Sequence, residues 1–247
     1  MSNVLVADDN PVSLRFFSEA LAQLGVACEL AHDGLETVAR AEHAHFDVLL
    51  LDARMPGLDG PAALARIRAG RGPSRDAVAL ATTADASAST RAELLGAGFV
   101  DVVAKPVTVN ALRAALASHL PGLNASVASA AGGADDLLDD VAALSAVGGD
   151  VSILAALRGL FVAELDALPG ELAAIGARSD VAALRDRLHR LDASAGFCGA
   201  PALVRACAKL RVSLDAPAWP AAAIDEFLAS AARVRARLVD AGAVATR

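Results

Sequence analysis

Four short apolar runs in the first half of the chain each lead into a polar residue of chemical consequence. NVLVA (3–7) runs into Asp8 and Asp9, and FDVLLL (46–51) into Asp52. AVALAT (77–82) runs into Thr83, and FVDVV (99–103) leads to Lys105 and Pro106. Runs this short and this apolar read as strands of a parallel sheet with helices covering both faces. Ligand sites in open sheets of that kind lie at the carboxyl ends of the strands. Three carboxylates, a hydroxyl and an ammonium are therefore expected to converge on one crevice. Such a set can hold a hard cation, phosphorylate a carboxylate and sense the result.

The runs alternate with helical patterns. Helices are expected over 11–24, 34–43, 61–69, 87–96 and 108–120, with a further strand near 26–31. Pro and Gly mark loops at 55–60 and 70–76. Five strands alternating with five helices predict a flavodoxin-like (βα)5 domain over 1–120, a doubly wound parallel sheet. Residues 121–136 are small, polar and Gly-bearing, and read as a flexible linker. Beyond them no strand pattern recurs. Helices are expected at 135–147, 152–167, 169–178, 181–195, 201–216 and 221–241. Their short connections predict an all-α antiparallel four-helix bundle over 137–241, with a tail at 242–247.

The length of 247 residues suits two modest domains. The net charge of −7 is evenly spread: 10 basic and 14 acidic groups in 1–121, 12 and 15 in 122–247. No basic face stands out, which leaves nucleic-acid binding without electrostatic support. Cys28, Cys198 and Cys207 lack metal-type spacing and read as reduced thiols of a cytoplasmic protein. Acids at Asp8 and Asp9 argue against a signal peptide, and no apolar run is long enough to span a bilayer. Only two of the 22 basic residues are lysine, Lys105 and Lys209. A chain so biased toward arginine still places a compact point charge at 105.

The chemistry of the crevice follows from its residue types. Packed carboxylates repel unless a cation or a proton relieves them. Oxygen-only ligands suit Mg2+, which also takes phosphate oxygens. A carboxylate can itself be the nucleophile that forms an aspartyl phosphate, and Asp52 stands centrally for that role. Lys105 would neutralise the phosphoryl oxygens and Thr83 would hydrogen-bond one of them. Pro106 fixes the backbone beyond Lys105, where a cis bond is possible.

With VLVADDNPVSLRF, LLLDARMPGLDG, ATTADA and VVAKP in that order, residues 1–120 resemble the receiver domain of two-component response regulators. The resemblance implies Asp8 and Asp9 as Mg2+ ligands, joined by Asp52 and the backbone carbonyl of Arg54. It implies Asp52 as phosphoacceptor, Thr83 as switch hydroxyl and Lys105 as phosphate partner. The family's switch aromatic lies three residues before the lysine. Here that residue is Val102, which cannot make the inward swing of an aromatic ring.

In the second half, Val181, Leu184, Leu188, Leu191 and Ala195 mark one helical face, expected to be bundle core. His189 lies about 100° around from Leu188 and is expected to flank that face and reach solvent. An imidazole there can accept a phosphoryl group. Through LRGLFVAEL, the stretch around HRLDASAGFCGA and ACAKLRVSL, residues 137–240 resemble a histidine-phosphotransfer (HPt) domain. The family pattern is H-x-L-K-G-S-A followed by G-A. Here Asp192 stands in place of its lysine and Ala193 in place of its glycine, with Gly199-Ala200 following. Asp186 adds another carboxylate, and Arg185 and Arg190 are nearby cations.

The two resemblances imply a phosphorelay signalling protein rather than a classical enzyme, its only catalytic activity being autophosphorylation and autodephosphorylation of the receiver. Its partners would be a sensor histidine kinase, other receivers or other HPt proteins. Either His189 relays the phosphoryl group or the bundle only docks partners, leaving a phosphate sink or scaffold. A further possibility has His189 and Asp192 position a water that dephosphorylates a partner. A metal-dependent phosphohydrolase would need a general acid or base near Asp52, and the loop after that strand offers none. Oligomeric state stays open at this level.

Overall fold

The computed structural model describes residues 2–85, 87–120, 123, 137–216 and 218–245, with side chains as far as residue 241. The linker expected over 121–136 lies outside the described residues apart from Leu123, as do residues 246 and 247 of the expected tail. The chain divides into two compact units.

The first unit runs β1 (Asn3–Ala7), α1 (Pro11–Gln23), β2 (Ala27–Ala31), α2 (Gly34–His43), β3 (Val48–Asp52), α3 (Gly60–Ala69), β4 (Val78–Thr83), α4 (Ala88–Gly96), β5 (Asp101–Ala104) and α5 (Val109–Ala117). The sheet order is β2-β1-β3-β4-β5 and every pairing is parallel. The chain winds one way from β1 to β2 and the other way from β3 onward. The crevice of such a sheet lies at that reversal, between the ends of β1 and β3. Val4, Leu5, Val6 and Val48 to Leu51 are all buried, because helices shield the sheet on both sides.

Each of the five helices starts on a polar cap. Asn10, Asp33, Asp59, Ser87 and Thr108 accept backbone N–H groups of the first turn, which satisfies donors that have no intrahelical partner. β3 ends at Asp52, as the sequence predicts, whereas β4 runs one residue past its expected end at Thr82 to include Thr83. Pairing holds them in the ladder, Asp52 opposite Thr82 and Thr83 opposite Ala104. Their side chains are thereby fixed by sheet geometry.

The second unit holds α6 (Asp140–Ala146), α7 (Val151–Gly176), α8 (Val181–Phe197), α9 (Pro201–Ser213) and α10 (Ala221–Ala245). α7 packs on α8, α8 on α9, α9 on α10 and α10 back on α7, which closes a four-helix ring. Phe161, Leu168, Leu184, Leu188, Leu191, Phe197, Leu203 and Val234 fill it. The two helices expected at 152–167 and 169–178 are one continuous helix with Pro169 inside it. Proline removes one helical hydrogen bond and crowds the preceding turn. Here Leu165, Leu168, Leu172 and Ile175 stay buried on both sides of it, and that shared apolar face carries the helix through. α10 likewise continues four residues past its expected end at 241, through Gly242.

Gly199 shows why the Gly-Ala pair follows α8. Its φ is +67°, and a Cβ there would lie 2.5 Å from the Asp139 carbonyl oxygen. The Gly199 carbonyl also accepts the Asp139 N–H at 2.8 Å. Gly149 has φ +86° but open space around it. Gly199→Ala is therefore expected to destabilise the bundle by more than Gly149→Ala, whose cost is the left-handed backbone alone, about 1–2 kcal/mol. Denaturant midpoints of the two variants test the difference; equal losses would sink it.

Candidate functional site

The ends of β1, β3, β4 and β5 bring five of the expected residues together. Asp8 and Asp52 are fully buried and Asp9 is half-buried. Each of the three carboxylates offers an oxygen, and these lie within 4.8 Å of one another. The Lys105 ammonium reaches into the cluster, 2.7 Å from Asp8 Oδ2 and 3.0 Å from Asp52 Oδ2. Its own backbone N–H donates to the Thr83 carbonyl at 2.7 Å, so β4 sets where the lysine starts. The Lys105–Pro106 bond is cis.

Asp8 is held from both sides. Oδ2 faces Lys105, and Oδ1 accepts the Asn10 N–H at 3.0 Å. Asn10 in turn caps α1, so the start of that helix orients the carboxylate. The Arg54 N–H lies 3.5 Å from Asp52 Oδ1 in the loop beyond β3. Gly60 opens α3 against the same strand end. A Cβ there would come within 2.3 Å of the Asp52 carbonyl oxygen, which excludes any larger residue.

Charge is unbalanced in this crevice: three carboxylates meet one ammonium. Burial pushes the Asp8 carboxyl up to about 7; Lys105 opposes the rise and Asp52 adds to it. Burial alone would lower the Lys105 pKa, but Asp52 and Asp8 outweigh it and hold the ammonium above its ordinary value. An all-oxygen donor set with excess negative charge, open to solvent at Asp9, fits a hard divalent cation.

Thr83 is buried, and its hydroxyl accepts the Asp85 N–H at 3.1 Å. Asp85 then holds the start of α4. Its Oδ1 accepts the Ser87 N–H at 3.0 Å, and its Oδ2 accepts the Thr90 hydroxyl at 2.6 Å. These bonds hold the Asp85 pKa below the usual carboxylate range, the Thr90 bond most of all. Val102 is partly buried against the sheet core, and its carbonyl accepts Arg91 Nη1 at 3.0 Å. A short chain of bonds thus runs from the Thr83 hydroxyl to the first turn of α4. The sequence does carry a local signal for it, acid, serine and threonine at 85, 87 and 90, where an acid before a helix commonly caps it.

The second candidate residue, His189, lies on α8. It is half-buried and its Nε2 is buried, where the sequence pattern places the ring in solvent. A helical wheel counts only its own helix and misses what neighbours cover. The same blindness affects the core face. Val181 is exposed, whereas Arg187 is buried. Arg187 Nη1 pairs with Glu164 at 2.8 Å and its Nε with Glu171 on α7, as a buried guanidinium requires. Burial raises the Glu164 pKa, against the pull of Arg187. Asp192, the acid in place of the expected lysine, is paired with Arg211 of α9 at 2.9 Å. Arg211 lies 19 residues from Asp192, and no local motif marks it.

A doubly wound sheet with an acidic, lysine-bearing crevice at its switch point, together with a four-helix bundle, defines a class of phosphoryl-handling signalling proteins. Residues 4–117 match the response regulator receiver domain and residues 156–238 match the Hpt domain. The chain carries a response regulator receiver domain followed by an Hpt domain. It is 29% identical over 221 residues to the sensor protein GacS of Pseudomonas syringae pv. syringae, a match covering 85% of this chain and 24% of that one. It is 30% identical over 216 residues to the signal transduction histidine-protein kinase BarA of Escherichia coli K12, covering 83% and 23%. The chain spans about a quarter of the length of these curated relatives. Among solved structures, the receiver domain of a sensor histidine kinase from Pseudomonas aeruginosa PAO1 is 35% identical, with a TM-score of 0.45. That match covers 48% of this chain and 96% of that one, whose active-site cleft holds a magnesium ion.

Two outcomes are expected from this geometry. The folded protein keeps a proton on Asp8 that the unfolded chain has already released, so metal-free stability falls as pH rises from the carboxylate range through about 7. Proton and cation compete for the same oxygen, so Mg2+ should raise the thermal midpoint more at pH 8 than at pH 6. An equal rise at both values would refute the competition. Secondly, Asp85→Ala removes the hold on Ser87 and Thr90. Lost hydrogen bonds worth about 1 kcal/mol correspond to about fivefold faster amide exchange in the first turn of α4, and unchanged exchange there would count against the linkage.

Proposed function

We propose that this chain is a phosphorelay element whose receiver, over residues 1–120, accepts a phosphoryl group on Asp52. The donor is a phosphohistidine of a sensor histidine kinase or of another HPt protein. The observation that carries this reading is the buried meeting of Asp8, Asp52 and Lys105 beside Asp9. In the transfer an Asp52 carboxylate oxygen attacks phosphorus in line. The O–P bond forms as the N–P bond of the donor breaks, and the departing imidazole takes a proton. Lys105 would meet the oxygens that gain charge, and Thr83 would bond one of them. Asp8, Asp9, Asp52 and the Arg54 carbonyl would hold Mg2+, which supplies positive charge at the transferring oxygens.

The reading assigns 121–136 as the linker and 137–241 as the HPt bundle. Its setting is the cytoplasm, supported by cysteines that are all free. No helix among the described residues is long and apolar enough to cross a membrane. The bundle passes the phosphoryl group through His189, whose ring must turn Nε2 outward or use Nδ1. A second reading is favoured by that buried Nε2 and by the acid at Asp192: the bundle docks partners and the receiver acts as a phosphate sink.

The chemistry of the label separates the two. Phosphorylation by a donor kinase with Mg2+ is expected to give base-labile label lost in Asp52→Asn, and acid-labile, base-stable label lost in His189→Gln. Base-labile label alone would establish the sink. Label that survives Asp52→Asn in base-labile form would overturn the assignment of Asp52.

A further inference from the structure

We propose that Arg211 of α9 supplies the cation that meets a phosphoryl group on His189, with Asp192 as the residue that positions it. This rests on the reading of His189 as a phosphoacceptor. A phosphoryl group at that ring would stand between Asp186 and Asp192, one helical turn to either side. Two carboxylates so placed disfavour a dianion unless a cation intervenes.

The arginines of α8 at 185 and 187 are committed elsewhere. Arg185 pairs with Asp215 at 2.7 Å, and Arg187 is buried on Glu164 and Glu171. Arg211 instead reaches across from α9 and is fixed on the histidine-bearing turn. Its Nη2 donates to the Leu188 carbonyl at 3.1 Å and to Asp192 Oδ2 at 2.9 Å. Those two acceptors bracket His189 in the chain and lie on one side of the helix. Both recorded bonds use a single nitrogen, and a guanidinium has five N–H donors in a planar fork. Donors remain that can pair with phosphoryl oxygens, the geometry at which arginine excels. The pair is also open to solvent, with side-chain exposures of 31% for Arg211 and 15% for Asp192, so an anion can reach it.

On this account Asp192 is not a lost cation. It takes the lysine's place in the helix and recruits an arginine from the neighbouring helix to the same turn. A merely structural salt bridge would make a different prediction, because its two charges would matter only together and only for folding.

The test uses the full chain carrying Asp52→Asn, so that label on the receiver does not interfere. Potassium phosphoramidate serves as the donor. A ring nitrogen of His189 attacks phosphorus, the N–P bond to ammonia breaks, and the ring proton leaves with the ammonia. Acid-labile, base-stable phosphohistidine is measured against time, with circular dichroism and thermal midpoint followed in every variant. Arg211→Gln is expected to slow labelling about tenfold. The double change Asp192→Lys with Arg211→Gln, which returns a cation to the turn from α8 itself, is expected to recover most of that loss. Labelling of Arg211→Gln at the unaltered rate overturns the proposal, as does a folded double variant that recovers nothing. Should Arg211→Gln not fold, Arg211→Lys and Arg211→Met decide at matched midpoints: labelling kept by lysine and slowed several-fold by methionine supports the proposal, and equal rates in the two overturn it. Absence of phosphohistidine before any change at 211 or 192 instead removes the parent reading of His189, and the proposal with it.

Discussion

A lysine ammonium with 2% of its side chain exposed sits between two buried carboxylates, and the receiver's chemistry depends on that placement. Removing an ammonium from water is costly, and its attraction to Asp8 and Asp52 offsets the cost. Withdrawing one partner from a buried pair of this kind costs about 3–5 kcal/mol, because the other charge is left stranded. The arrangement therefore holds β1, β3 and β5 in fixed relation at their carboxyl ends. Asp9 adds a third carboxylate to the same cluster, so acids outnumber the single ammonium there. Burial, with a smaller push from Asp52, raises the pKa of Asp8. A crevice in that condition gains most when a cation arrives, and the cation in turn makes room for the oxygens of a phosphoryl group.

Sheet pairing transmits what happens there. Thr83 is the last paired residue of β4, opposite Ala104, and its carbonyl takes the Lys105 N–H. The hydroxyl accepts the Asp85 N–H, and Asp85 ties it to α4. In a receiver with a switch aromatic, the ring's inward movement would report the hydroxyl's position at β5. Val102 has no ring to move, and its place at β5 is partly buried with the carbonyl under Arg91. The Asp85 bonds to Ser87 and Thr90 remain as the connection between the hydroxyl and a helix. Their location at a first helical turn matters, because capping there governs whether the turn frays.

The receiver was legible in sequence because its site is built from strand ends. A buried parallel strand is continuously apolar, so the first polar residue after it marks the sheet's carboxyl edge, and topology brings those edges together. Asp8, Asp52, Thr83 and Lys105 were found in that way with no need of side-chain detail. β4 and β5 each run one residue further than the apolar runs indicate, to Thr83 and Ala104, since backbone pairing does not depend on an apolar side chain. The bundle was less legible. Its periodicity gave the helices but divided α7 at Pro169, because a local rule against proline cannot weigh four buried residues that span it. Arg187 and Arg211 were invisible for a related reason. A charged residue reads as surface unless its partners are known, and those partners, Glu164, Glu171 and Asp192, lie on other helices. His189 was placed in solvent by the same one-helix reasoning.

The two acceptors also differ in how each carries negative charge, and that difference bears on direction. In the receiver, the carboxylates surround the acceptor and their repulsion is relieved by charge that a phosphoryl transfer brings with it or requires, from Lys105 and a cation. On α8 the carboxylates at 186 and 192 stand beside the acceptor, and a guanidinium already engaged by one of them must divide its donors with any arriving anion. A phosphohistidine there is stabilised by less net positive charge than an aspartyl phosphate in the crevice. An N–P bond is besides the more reactive of the two once its nitrogen is protonated. On the proposed reading both terms favour Asp52 as the resting place of the phosphoryl group, so an acid at position 192 biases the relay toward the receiver without abolishing the histidine as an intermediate.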